Sequence, residues 1–162
     1  MQKLPFALSV VLSFTAVAQG SQNATGDFAI DLGQIRGATR AVKQFEEICT
    51  ESFPKLRRQN EVAYAAWRSR YLPFIQEMEK TYLQFAWRAA KGNAQNYMAF
   101  NAGMDKQLDE AKIGLRRQLT SEGMEKFTDV CNRLPAILTN AQFDIEHHYA
   151  EQVRTVRRVL KE

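Results

Sequence analysis

Two histidines, His147 and His148, stand side by side near the C-terminus, with Asp144, Glu146 and Glu151 around them. Imidazole and carboxylate in so short a span are the raw material of a metal site or of acid–base chemistry. Neighbouring helical residues point about 100° apart, however, so the two rings cannot readily share one ion. A dimetal site in a helical bundle needs a Glu-x-x-His pair from each of two helices, with further inward carboxylates. The chain has no third histidine to supply the second pair. The expectation is a solvated cluster with no metal. Covalent haem needs C-x-x-C-H, which is absent. A non-covalent haem would want Met78, Met98, Met104 or Met124 opposite His148, and nothing in the pattern pairs them, so no cofactor is expected.

Nucleophilic and phosphate-handling signatures are missing too. There is no G-x-S-x-G, no H-E-x-x-H, no Walker loop and no G-x-G-x-x-G following a strand. Asp109-Glu110 falls on a polar helical face, without the burial that sets a catalytic carboxyl apart. These absences point to a protein that is not an enzyme and that acts by binding another macromolecule. A small cofactor or metal carrier is the alternative from another class.

Cys49 and Cys131 are the two cysteines, 82 positions apart. A redox-active pair usually has C-x-x-C spacing, which depresses one thiol pKa. An isolated distant pair in an exported domain reads instead as one structural disulfide, Cys49–Cys131.

Two further features suit recognition. Trp87 lies off the main aromatic stripe, which makes it a candidate interface aromatic. Arg154, Arg157, Arg158 and Lys161 fall at i, i+3, i+4 and i+7, while Val153, Val156 and Leu160 make another face. Such a helix suits an acidic envelope protein or an anionic surface component such as lipid. The same cations would also complement a helix C-terminus.

The elements that carry these residues follow from composition and periodicity. The chain has 162 residues, 22 Lys plus Arg, 18 Asp plus Glu and a 45% hydrophobic share. That suits one folded domain and excludes a disordered or collagen-like polymer. The start, MQKLPFALSVVLSFTAVAQG, has a single cation at Lys3, an apolar run from Leu4 to Phe14 and the small-residue box Ala16-Val17-Ala18. This is the order of a secretory signal peptide over 1–18, cleaved after Ala18. The run is about half the roughly 20 residues that span a bilayer, and no later stretch supplies a transmembrane segment. The expected location is the periplasm or outside the cell. The mature chain keeps 144 residues with 21 cations against 18 anions, too mild an excess for nucleic-acid binding. Residues 19–30 read as a disordered lead-in carrying the sequon Asn23-Ala24-Thr25, and 31–162 as one helical domain.

Within that domain the apolar spacing predicts helices and no strands. The first covers Leu32–Ser52, its opening weakened by Gly33 and Gly37. The second and longest covers Pro54–Ala90, carries the core stripe Tyr64, Trp67, Tyr71, Phe74, Ile75, Met78, Tyr82 and Phe85, and bends at Pro73. The third covers Ala94–Gln118, where Gly103 and Gly114 imply close packing on a neighbouring helix. Thr120 reads as the N-cap of a fourth helix, which turns Met124, Phe127, Cys131 and Leu134 inward. Pro135 and Asn140 break the chain before a last segment, Ala141–Leu160, that buries Ile145, Tyr149, Val153, Val156 and Leu160. The fold class expected is all-α: an antiparallel four-helix bundle with a Pro-kinked second helix and one disulfide.

The run Cys49-Thr50-Glu51-Ser52-Phe53-Pro54, then Tyr64 and Trp67, then Cys131 with Leu134 and Pro135, resembles a pattern of small exported helical proteins of Gram-negative bacteria. The resemblance spans Phe45 to Leu138 and implies an envelope location. The group has no established activity, so no functional residue carries over. The paired L-T-x-x-Q motifs of periplasmic adaptor chaperones are absent; Leu119-Thr120-Ser121-Glu122 matches only the first two letters.

Overall fold

Asp27 stands at the start of the first described helix. In a computed structural model, residues 24–160 are described; the expected signal peptide 1–18, the sequon residue Asn23 and Lys161 lie outside them. The Asp27 carboxylate accepts the Ile30 N–H at 2.9 Å and caps α1, Phe28–Ser52. The helix therefore starts four residues before the expected Leu32 and takes in part of the lead-in. Asp31 fixes that start: fully buried, it accepts the Thr25 N–H at 2.8 Å and the Thr25 hydroxyl at 2.9 Å.

α1 is the axis of the fold. Leu32, Ile35, Val42, Phe45 and Ile48 are buried at helical spacing, as expected for one apolar face. Arg36, Thr39, Glu46 and Thr50 are buried as well, because neighbours cover further sides of the same helix. Glu46 is satisfied by Lys43 Nζ and by the Thr50 hydroxyl, each at 2.7 Å.

Where the spacing predicts one bent helix, the chain forms a 3-10 turn, Pro54–Leu56, and two helices, α2 (Arg57–Arg70) and α3 (Leu72–Ala89). Pro73 is the cause. It lacks the N–H that would bond the Ser69 carbonyl, so Tyr71 leaves helical geometry at φ −102°, ψ 10° and Pro73 sits in the first turn of α3. The aromatic stripe is core: Trp67, Phe74, Met78 and Tyr82 are buried, with Tyr64, Tyr71, Ile75 and Phe85 packed against them. The Trp67 indole N–H donates to the Phe143 carbonyl at 2.9 Å, which ties α2 to the distant C-terminal third.

Lys91 (φ 53°) and Gly92 (φ 68°) turn the chain, and Asn93 caps α4, Ala94–Thr120. α4 lies on α1 and α3 yet fully buries only Leu115. Tyr97, Phe100, Met104 and Leu119 pack half-buried against the core, and polar contacts add to them. Gln44 donates to the Leu108 carbonyl at 2.7 Å, Lys112 reaches Glu47 and Glu51 at 2.9 and 2.8 Å, and Arg116 pairs with Glu51. The packing expected at Gly103 and Gly114 is absent: a Cβ at either would meet no side chain or neighbouring backbone within 4 Å. Gly114 instead lines a shallow groove with Gly37, Ala41 and Ala111.

Thr120 does not cap the next helix. It ends α4, with its hydroxyl donating back to the Arg116 carbonyl at 3.0 Å. Gly123, at φ 96°, takes the N-cap position of α5, Met124–Asn132. Phe127, Val130 and Cys131 of α5 are buried, whereas Met124 is 60% exposed and not inward as its spacing predicts. Cys49 and Cys131 form the disulfide that fastens α1 to α5, both fully buried.

The last segment is broken into α6 (Leu134–Ile137), a 3-10 turn (Ala141–Phe143), α7 (Ile145–His148) and α8 (Ala150–Val159). Ile145, Tyr149, Val153 and Val156 are buried as predicted; Leu160, at the end of α8, is 43% exposed instead. The described chain is all-helical, with no strand among the described residues. None of its helices is long and apolar enough to cross a membrane.

Candidate functional site

The break at Tyr71 leaves a corner between α2 and α3, and α7 and α8 pack opposite it. Between them lies a cleft of about 1000 Å³ lined by Arg70, Tyr71, His147, Arg154, Arg157 and Arg158, with Asp144 and Glu146 on the α7 side. The register of α8 places these arginines there. Val153 and Val156 face the core, so Arg154 and Arg158, one turn apart, fall on the solvent-facing side, and Arg157, one turn beyond Val153, sits half-buried at the edge between them.

The four arginines are not equivalent. Arg157 donates from Nε and Nη2 to the two oxygens of Glu77 at 2.8 and 2.6 Å, and from Nη2 to Glu146 at 2.9 Å. It thereby joins α8 to α3 and α7. The hydrogen bond to Glu77 raises the Arg157 pKa still further, and the same bond holds the Glu77 carboxyl below the usual range. Arg154 is held by Glu151, one turn back, at 2.8 and 3.0 Å. Arg70 lies beside the Tyr71 ring, 6.0 Å from its centroid. Arg70 and Arg158 have no acidic partner among the described residues. Asp144 and Glu146 are the carboxylates among the lining residues of the cleft, while Glu77 and Glu151 hold Arg157 and Arg154 from beside it. Its unused cationic capacity sits at Arg70 and Arg158.

His147 is exposed at the rim, where Asp144 accepts its backbone N–H at 3.1 Å. His148 is half-buried, with Nε2 enclosed and without a hydrogen-bond partner, and its ring lies edge-on to Tyr149. The two therefore diverge, and only His147 borders the cleft. Among the described residues no group of three or more His, Cys, Asp or Glu side chains is placed to hold a metal ion.

Trp87 stands elsewhere. It is 47% exposed beside Leu83, itself 50% exposed. Its ring meets Tyr97 edge-on at 5.6 Å and covers the left-handed Gly92 corner. It lies sixteen positions along α3 from Tyr71, about 24 Å of helix. The cleft and Trp87 are separate surfaces.

Arg70, Tyr71 and Glu77 are absent from the sequence-derived candidates. The one available signal was Pro73, since a helix broken there must present the preceding residues at a corner. Comparison with protein-family models, with characterised proteins and with solved structures gives no match. The cleft presents four guanidinium groups, of which Arg154 and Arg157 are held by carboxylates while Arg70 and Arg158 have no acidic partner among the described residues.

Proposed function

We propose that this is an exported, non-enzymatic protein, an antiparallel four-helix bundle in broad plan, that binds an acidic segment of another macromolecule in the cleft between the Tyr71 corner and α8. The observation that carries this reading is the contrast within one arginine set. Arg157 and Arg154 are tied to carboxylates, while Arg70 and Arg158 face the same concavity without an acidic partner among the described residues. The tied pair sets the shape of the cleft, and the free pair supplies the attraction. A concave site favours a protruding acidic stretch of a partner protein over a flat lipid surface. The Cys49–Cys131 disulfide and the lack of a membrane-crossing helix among the described residues are compatible with export.

A labelled octaglutamate peptide, titrated into the mature chain and followed by fluorescence anisotropy, tests this reading. Saturable binding is expected, weakened at least tenfold by Arg70→Glu with Arg158→Glu and weakened by salt. A titration that stays flat, or one that the double variant leaves unchanged, contradicts it.

Val159 and Leu160, 42% and 43% exposed beside Arg158, favour a second reading in which the end of α8 docks on an anionic lipid surface. Salt-sensitive binding to phosphatidylglycerol vesicles that is lost in Arg157→Glu with Arg158→Glu would select it.

A further inference from the structure

We infer that a second, smaller pocket, where α1 meets α2 and α3, binds a tetrahedral oxyanion of the phosphate class. The pocket has a volume of about 270 Å³ and shares no lining residue with the cleft. α1 contributes Thr39, Arg40 and Lys43, α2 contributes Tyr64 and Arg68, and α3 contributes Glu79.

Its charges do not balance. Glu79 is divided between Arg40, at 3.1 Å, and Arg36, at 3.7 Å. Lys43 is held by Glu46 at 2.7 Å and reaches Glu47 only at 3.7 Å, while Glu47 is itself taken by Lys112 at 2.9 Å. Arg68 is exposed and has no acidic partner among the described residues. Arg36, Arg40, Lys43 and Arg68 are thus answered by Glu79 and Glu46, with a share of Glu47.

Behind the pocket, Arg36 is nearly enclosed, its side chain 9% exposed and its guanidinium 3.8 Å above the Tyr82 ring. Its Nε and Nη1 make no hydrogen bond. Buried donors left unused are unfavourable, and the cause here is a single carboxylate shared by two arginines. An oxyanion bound to Arg40 and Arg68 removes that conflict, because Glu79 is then released to close on Arg36. Occupancy of the pocket and satisfaction of a buried cation are coupled.

The donors suit a tetrahedral group. Two guanidinia, one ammonium and the Tyr64 hydroxyl come from two helices, α1 and α2, while the Thr39 hydroxyl is already donated to the Arg36 carbonyl at 2.8 Å. Burial raises the Tyr64 hydroxyl above the usual tyrosine range, against the pull of Lys43, Arg68 and Arg40, so it remains an O–H donor. Lys43 is steadied over the Tyr64 ring at 4.9 Å. The volume is several times the ~30 Å³ share of a water molecule, which leaves room for free phosphate or for a small phosphate monoester.

Isothermal titration calorimetry of the mature chain in low-salt, phosphate-free buffer tests this, with inorganic phosphate in one arm and glycerol 3-phosphate in the other. Saturable one-site binding is expected in at least one arm, and the tighter arm identifies the source. Arg68→Ala and Lys43→Ala, each at a side chain with solvent access, should each weaken it at least tenfold. Arg70→Glu with Arg158→Glu should leave it unchanged. No saturable heat in either arm overturns the inference, as does binding that survives both pocket substitutions. Binding lost only in the cleft variant also overturns it and moves the anion to the cleft.

Discussion

Arg157 and Glu77 lie 80 positions apart and meet in a two-pronged ion pair that fastens α8 to α3 beside the Tyr71 corner. The pair forms one wall of the cleft, and Glu146 on α7 completes it. The geometry of the proposed binding site therefore depends on a contact between two elements that are remote in sequence.

Glu77 makes that contact sensitive to acid. Its carboxyl is held below the ordinary value by the Arg157 hydrogen bond, so the stabilisation is fully present above the unfolded carboxyl value of about 4.3 and disappears as pH falls through the folded value. The side chains are 41% and 36% exposed, so solvent screening limits the effect to about 1 kcal/mol or less. Melting temperatures of the wild type and Glu77→Gln should differ most near neutrality and converge below about pH 4. A gap that widened in acid would show that Glu77 does not act through this pair.

The disulfide joins fully buried sulfurs of the axial helix and α5. Closing a loop of this length stabilises by roughly 4 to 5 kcal/mol on the chain-entropy model. Replacing both cysteines with alanine should lower the free energy of urea unfolding by about that amount. A thiol assay on denatured, unreduced protein should find none; two reactive thiols would refute the bond.

Gly114 sits inside α4 with open space where a Cβ would stand. Ala there removes the helix-interior cost of glycine, about 0.5 to 1 kcal/mol. Gly114→Ala should therefore raise the urea midpoint. A clear loss of stability would reveal a close neighbour on that face.

Local chemistry accounts for what was legible in the sequence. Pro73, Pro135 and Asn140 act within a turn of their own positions, and each marks a real break. Trp67, Phe74, Met78 and Tyr82 share one helical face, so periodicity alone identified them as core. The misses arise where two local signals compete. Gly33 and Gly37 masked the start of α1, which Asp27 and Asp31 fix by accepting backbone N–H groups. Thr120 looked like a cap, but the positive-φ Gly123 supplies the turn. Met124 and Leu160 stand at helix ends, where the apolar arc runs past the edge of the core. The basic residues on α8 are visible as a face, and the Arg154–Glu151 pair follows from i,i+3 spacing. The pairing of Arg157 with Glu77 and Glu146 joins separate elements and cannot be read from spacing.

The most direct measurement for the central claim is a two-dimensional ¹H–¹⁵N NMR titration of the mature chain with the octaglutamate peptide. The proposed function predicts saturable shifts concentrated on Arg70, Tyr71, His147 and Arg158, with the Trp87 corner undisturbed. Shifts centred on Leu83, Trp87 and Tyr97, or no shifts at saturating peptide, would contradict it.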